Sequence, residues 1–152
     1  PSVLREHVQQ WFDHNTDSPY MLLVANVKDD IHRTMTVEEK TLFGIDKLNV
    51  PRSSVPAITH VNYSARVQTV HKDTNPKYHD LITKFYEKTG CPLVVNTSFN
   101  VRGEPIVCNP TDAFKCFMGT ELDLLAIGNY ILIKSEQNQA LAEKYVQNYE
   151  LD

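Results

Sequence analysis

Asn75-Pro76 opens and Gly90 closes the stretch of this chain whose helical punctuation is most complete, and the next residues leave little freedom. Pro at the first helical position has its φ already set and gives up an amide that would be unpaired anyway, while Gly takes the left-handed conformation that ends a helix. Tyr78, Leu81, Ile82 and Phe85 recur between them at helical spacing. Pro92 to Val95 then reads as a short buried strand, so helix and strand alternate within a few residues.

The same mixture continues on both sides. Leu4, Val8, Trp11 and Phe12 have helical spacing and predict an amphipathic helix ending near Asn15; Tyr20 to Val27 reads as a buried strand. Residues 28–56 are polar and turn-rich, with capping-box spacing at Thr36 and Glu39, and read as an excursion or lid. Ala57 to Val61 and Arg66 to Val70 read as strands, the second alternating Val67 and Thr69 against Arg66 and Gln68. Beyond Gly90, Ile106 to Cys108 is expected to be extended. Asn109-Pro110-Thr111-Asp112 caps a helix carrying Ala113, Phe114, Phe117 and Met118, and Gly119 closes it. Leu122 to Ile127 and Tyr130 to Lys134 form a hairpin around Gly128-Asn129, and Leu141, Tyr145, Val146 and Tyr149 mark a final helix. Strands and helices interleave irregularly, which predicts an α/β or α+β fold on a mixed sheet.

A chain of 152 residues is expected to form one domain, residues 1–152, with a real core. Its net charge of −4 gives no overall basic footprint, so no nucleic-acid partner is expected. Cys91, Cys108 and Cys116 are odd in number and form no CxxC; they read as small core residues in a reducing, cytoplasmic compartment. No run is long and apolar enough to predict a membrane span. The chain opens at Pro1 without Met, which predicts a piece of something longer.

Chemistry concentrates after the Pro92–Val95 strand, in Asn96-Thr97-Ser98-Phe99-Asn100-Val101-Arg102-Gly103-Glu104-Pro105. Any one of these polar side chains could serve a hydrogen-bonded turn. The whole set, with a guanidinium beside a glycine, exceeds what a turn needs and suits a phosphate-bearing ligand. Arg66 has two readings, an exposed strand arginine or a guanidinium on a pocket floor. His60, at the end of an expected strand, is read first as bonded to nearby backbone and second as a ligand contact. The string is neither a Walker loop nor GxGxxG, and no GxSxG surrounds Ser98. The histidines show no HExxH, so no metal site built by this chain is expected.

Pro56-Ala57-Ile58-Thr59-His60-Val61, Ser64 to Val70, and Asn96 to Pro105 continuing through Pro110 resemble the C-terminal domain of the O-carbamoyltransferases of nodulation-factor and antibiotic biosynthesis. Pro1-Ser2-Val3-Leu4 and Ser18-Pro19-Tyr20-Met21 also look like that domain, which leaves 28–55 as the weakest part of the likeness. The resemblance implies a YrdC-like fold, an open twisted mixed sheet flanked by helices. It implies that ATP, with Mg2+ on the nucleotide, and carbamoyl phosphate yield carbamoyl-adenylate. A separate N-terminal, actin-like metal-binding domain would then pass the carbamoyl group to a hydroxyl. Carried over, Arg66 and Arg102 would be catalytic, stabilising phosphate charge, and Asn96, Ser98, Thr97, Asn100 and His60 would line the nucleotide and carbamoyl site. Two departures stand out: Asn62-Tyr63 where the family reads Asp-Gly, and no Arg-Pro-Phe-Ala ahead of Pro1. Two other readings stay open, a threonylcarbamoyl-adenylate enzyme of tRNA modification and a non-catalytic nucleotide-binding module.

Overall fold

A computed structural model describes residues 1–140, which group into two compact units, Pro1–Asn96 and a second beginning at Thr97. Helices and strands are mixed in both, and the first holds a mixed four-stranded sheet, as an α/β fold requires.

That sheet has the order β2-β3-β1-β4, built from β1 (Ser2–Leu4), β2 (Leu23–Asn26), β3 (Ser64–Val70) and β4 (Leu93–Val94). β1 runs parallel to β3 with Ser2 opposite Gln68 and Leu4 opposite Val70; the other two pairings are antiparallel. Because successive side chains on a strand face opposite ways, each face collects alternate residues. One face carries Val3, Ala25, Ala65, Val67 and Leu93, packed with Val8, Phe12 and Val27 into the main core. On the opposite face, Leu4, Val70 and Val94 meet Ile82, Tyr78 and Tyr86 of α4 (Pro76–Thr89). α4 begins and ends as its punctuation predicts: the Asn75 side chain accepts from the Tyr78 amide, and Gly90 is left-handed at φ 74°. His79, nearly buried on α4, meets the Glu6 carboxylate at 2.9 Å.

Three expectations need correction in this unit. Ser2–Leu4 is a strand, and the expected first helix is reduced to a 3-10 turn and the single turn α1 (Val8–Trp11). Leu4 reads as helical only through its spacing from Val8, whereas hydrogen bonding on both edges makes its segment one of the two inner strands. Tyr20 to Val27 is not a buried strand; β2 is a short edge strand, with Tyr20 80% and Val24 62% exposed. Ala57 to Val61 is no strand either, since Pro56 starts a 3-10 turn over Pro56–Ile58. The polar excursion carries α2 (Val37–Thr41), with the Thr36–Glu39 capping box formed in both directions, and α3 (Gly44–Leu48).

In the second unit, α5 (Pro110–Gly119) packs Ala113, Phe117 and Met118 on Leu125 of the hairpin β5 (Leu124–Ile127) and β6 (Tyr130–Ile133). Asn109 caps α5 by accepting from the Asp112 amide at 3.0 Å, and Lys134 lies over the Phe117 ring while donating to the Thr120 carbonyl. The hairpin turns at left-handed Gly128, as expected. Ile106 to Cys108 forms no strand, and Cys108 is exposed, not core; Cys116 is buried and Cys91 half-buried. The expected final helix at Leu141 to Tyr149 lies outside the described residues. Among the described residues no helix is long and apolar enough to cross a membrane.

Candidate functional site

α4 covers only one end of its face of the sheet. At the other end β3 turns Arg66 and Gln68 outward while Ala65, Val67 and Thr69 are buried on the core side. The alternation in the sequence therefore assigns the faces correctly. Arg66 is exposed and makes no hydrogen bond or ion pair with another described residue.

Gln68 is the organising residue of this ledge. Its Oε1 accepts from the Ser2 hydroxyl at 2.5 Å and from Asn96 Nδ2 at 2.8 Å, and its Nε2 donates to the Pro19 carbonyl at 2.9 Å. Only one amide orientation satisfies all three, because the Pro19 oxygen can only accept. Ser2 is wholly buried, so this amide ties β1 to the ledge. Asn96 follows β4 and so comes onto the face of Arg66, its amide nitrogen committed to Gln68 and its carbonyl oxygen turned to no described donor. Sequence reasoning placed Asn96 and Arg66 among the site residues but missed Gln68 and Ser2; the alternation of Gln68 with Val67 and Thr69 was the available signal.

His60 stands at the entrance to β3. Its amide donates to the Ser64 carbonyl at 2.8 Å, closing a loop in which Tyr63 has φ 59°. The Ser64 hydroxyl donates to Asn62 Oδ1 at 2.7 Å, so its oxygen accepts from His60 Nδ1 at 2.9 Å. The network thus makes Nδ1 a donor and leaves Nε2 of the exposed ring bonded to no described residue. The backbone at Tyr63 is left-handed, a conformation that strains a residue carrying a Cβ. The Tyr63 carbonyl accepts from Val27 and its ring lies 4.2 Å from that of His32.

In the second unit, Asn100 to Glu104 is a tight turn. The Glu104 amide donates to the Val101 carbonyl at 3.0 Å, and Gly103 at φ 81° supplies the positive φ such a turn needs at its third position. Asn100 Nδ2 donates to the Val101 and Glu104 carbonyls, so that amide builds the turn, while its buried Oδ1 has no hydrogen-bond partner among the described residues. Arg102 is exposed at the second position. Thr97 and Ser98 are exposed, with neither hydroxyl bonded to another described residue. The structure thus groups Arg66, Asn96 and His60 in the first unit and Thr97, Ser98, Asn100 and Arg102 in the second. Among the described residues no group of three His, Cys, Asp or Glu side chains is placed to hold a metal ion.

Residues 1–134 match the family described as carbamoyltransferase C-terminus. An uncharacterized protein of Synechocystis is 53% identical across the whole chain, which covers 25% of that protein. Nodulation protein NolO of Bradyrhizobium diazoefficiens is 36% identical over 88% of the chain and 21% of its own length. The 3'-hydroxymethylcephem-O-carbamoyltransferase of Amycolatopsis lactamdurans is 30% identical over 70% of the chain and 16% of its own. The chain therefore spans a quarter or less of these curated relatives. It belongs to the carbamoyltransferase C-terminal domain family.

Proposed function

We propose that this chain is the carbamoyl-adenylate-forming part of an O-carbamoyltransferase, acting on ATP and carbamoyl phosphate in the cytoplasm. The observation that carries the reading is Arg66, an exposed guanidinium with no hydrogen bond or ion pair to another described residue, standing on the same strand face as an amide pair, Gln68 and Asn96. A charged fork beside hydrogen-bonding amides is what a phosphate joined to a planar carbamoyl group requires.

In the proposed reaction a carbamate oxygen bonds to the α-phosphorus and the bond from that phosphorus to pyrophosphate breaks. Carbamoyl phosphate supplies the carbamate by taking up water and releasing inorganic phosphate. Negative charge grows on the α-phosphate and the departing pyrophosphate, and Arg66 and Arg102 would stabilise it. The Asn96 carbonyl oxygen is open to accept from the carbamoyl NH2, and the Ser98 and Thr97 hydroxyls can donate to its oxygen. Asn100 would shape the loop through its two carbonyl contacts, and His60 would offer Nε2 to a ribose hydroxyl. No protein nucleophile is invoked, because holding the reactants in line can supply much of the rate. Mg2+ would screen phosphate charge; with no three-residue cluster among the described residues, the site suits an ion arriving on the nucleotide with its waters.

The relatives' greater length supports assigning transfer to the acceptor hydroxyl to a further, N-terminal metal-binding domain. The test is pyrophosphate release from ATP and carbamoyl phosphate by the chain and by Arg66→Ala and Arg102→Ala. The reading expects release to fall at least a hundredfold in each, as for removal of one oxyanion-stabilising donor, about 2.7–4 kcal/mol. Wild-type rates in both variants refute the site. Release that needs threonine would favour the tRNA-modification reading, and ATP binding without turnover would favour a binding module.

A further inference from the structure

The two edges of the four-stranded sheet differ. β2 is flanked at its Asn26 end by the Phe12–Val27 bridge and by the Asp13 amide, which donates to the Asn26 carbonyl at 2.9 Å. β4, at the other edge, pairs with β1 alone. The Leu4 amide donates to the Pro92 carbonyl at 3.1 Å and Val3 stands opposite Leu93, so Val3 and Leu93 form a non-hydrogen-bonded pair of this antiparallel ladder. The Leu93 amide and carbonyl therefore point away from β1, to the outer edge. There the amide meets no described acceptor, and the carbonyl takes only a weak contact from the Cys91 thiol at 3.7 Å.

A cavity of about 360 Å3 lies along that edge, lined by β4 and Val95, by Phe85 of α4, and by residues 55–58. Val55 and Ile58 belong to the same core cluster as Leu93, while α4 covers the opposite face of the sheet. The groove is thus walled by carbon on both faces and backed by unpaired backbone, with Ala57, Phe85 and Val95 exposed at its rim. A small apolar molecule could fill the walls but would leave the Leu93 amide without an acceptor, and a buried orphan amide is costly. An added polypeptide strand meets both demands at once, as in other sheets whose open edge receives a partner.

We propose that this groove receives an extended segment of a longer carbamoyltransferase polypeptide, from outside these 152 residues, which adds to β4 as a fifth strand. The proposal rests on the reading above only in taking the chain as part of a longer protein, and not on the reaction. Three quarters of the Synechocystis relative lie outside the part that this chain matches, so chain for the purpose is plentiful. Because both walls are apolar, the segment is a short continuous run of Val, Ile or Leu and not the polar–apolar alternation of a half-exposed strand. A second copy of this chain fits poorly. β4 is two residues long, and the walls flanking it in each copy would meet before two such strands could pair.

The probe is a set of overlapping peptides, each of about twelve residues, tiling the unmatched three quarters of the Synechocystis protein and titrated into the 152-residue chain. A peptide carrying such an apolar run is expected to bind with Kd below about 1 mM. Amide exchange read by NMR locates it: the Leu93 amide exchanges faster than that of Val94 in the free chain and slows at least about tenfold with the peptide bound. Ala57→Asp and Phe85→Ser alter exposed positions, with thermal melts confirming that both fold. Each is expected to weaken binding about tenfold or more, by burying a charge or removing a wall. Arg66→Ala is expected to bind the peptide as the unaltered chain does, so failure of the reaction and failure of the groove are read apart. No binding at about 1 mM, binding that both groove variants leave unchanged, or a Leu93 amide already as slow as that of Val94 in the free chain overturns the proposal. Slowing of Leu93 with protein concentration, alongside a dimer in sedimentation equilibrium, also overturns it and assigns the edge to a second copy.

Discussion

Replacing Gln68 by Ala separates the ledge from the sheet that supports it, and the cost can be worked from its three hydrogen bonds. The Ser2 hydroxyl is fully buried and donates only to Gln68 Oε1, so truncation strands a buried polar group, at about 1–3 kcal/mol. The contacts to Asn96 and the Pro19 carbonyl are exposed and water can replace them, which adds roughly 0.5 kcal/mol. Gln68→Ala is thus expected to destabilise the first unit by about 2–3 kcal/mol. Trp11, the sole tryptophan, packs against the core of this unit, so its fluorescence during urea unfolding reports the loss directly. At a slope of roughly 1–2 kcal/mol per molar urea the midpoint should fall by more than about 1 M, with the slope itself unchanged. Ser2→Ala combined with Gln68→Ala removes the stranded hydroxyl, so the double variant should be more stable than the sum of the two single losses predicts. A loss below about 0.5 kcal/mol in Gln68→Ala, or strict additivity in the cycle, refutes this account of the ledge.

Ile82→Ala empties a fully buried position where α4 meets Leu4 and Val70, and should cost about 2–5 kcal/mol in the same urea titration. Asn109→Ala removes the cap of α5 and should cost about 1 kcal/mol, read as faster amide exchange in the first turn of that helix. Burial pushes the Glu6 carboxyl up, but its backbone hydrogen bond and the His79 imidazole outweigh this and hold it below the ordinary 4.5. A depressed carboxyl contributes stability above its unfolded value and loses it as pH falls through the folded one. Stability should therefore decline on acidification below about pH 4.5, and less steeply in Glu6→Gln; equal acid slopes would contradict the assignment.

Elements with local punctuation were legible in advance. α4 and α5 carry Asn-Pro starts whose side chains do cap the helices, and Gly128 marks the hairpin turn. The faces of β3 were also legible, because alternation follows directly from the pleat. What failed were segments whose state is decided from far away. Ser2–Leu4 is a strand only because β3 and β4 flank it, and no neighbour in sequence announces that. Tyr20 to Val27 is apolar enough to be central, yet pairing on one edge alone leaves much of it exposed. In the candidate site, Arg66, Asn96 and the Asn100–Glu104 turn could be found from residue type and spacing. Gln68 could not be ranked above its neighbours until Ser2 and Pro19 were seen to share its amide.

β1, one of the two inner strands of the first unit, also sets when this unit can fold. Ser2 lies opposite a residue 66 positions later and also opposite Val94, so neither edge of β1 can be satisfied by anything nearby in sequence. Long loops must close before those pairings stabilise anything, and parallel, non-local pairing of this kind belongs to the slow, millisecond-to-second end of domain folding. During synthesis Ser2–Leu4 must wait, without strand partners, until β4 has followed it out of the ribosome.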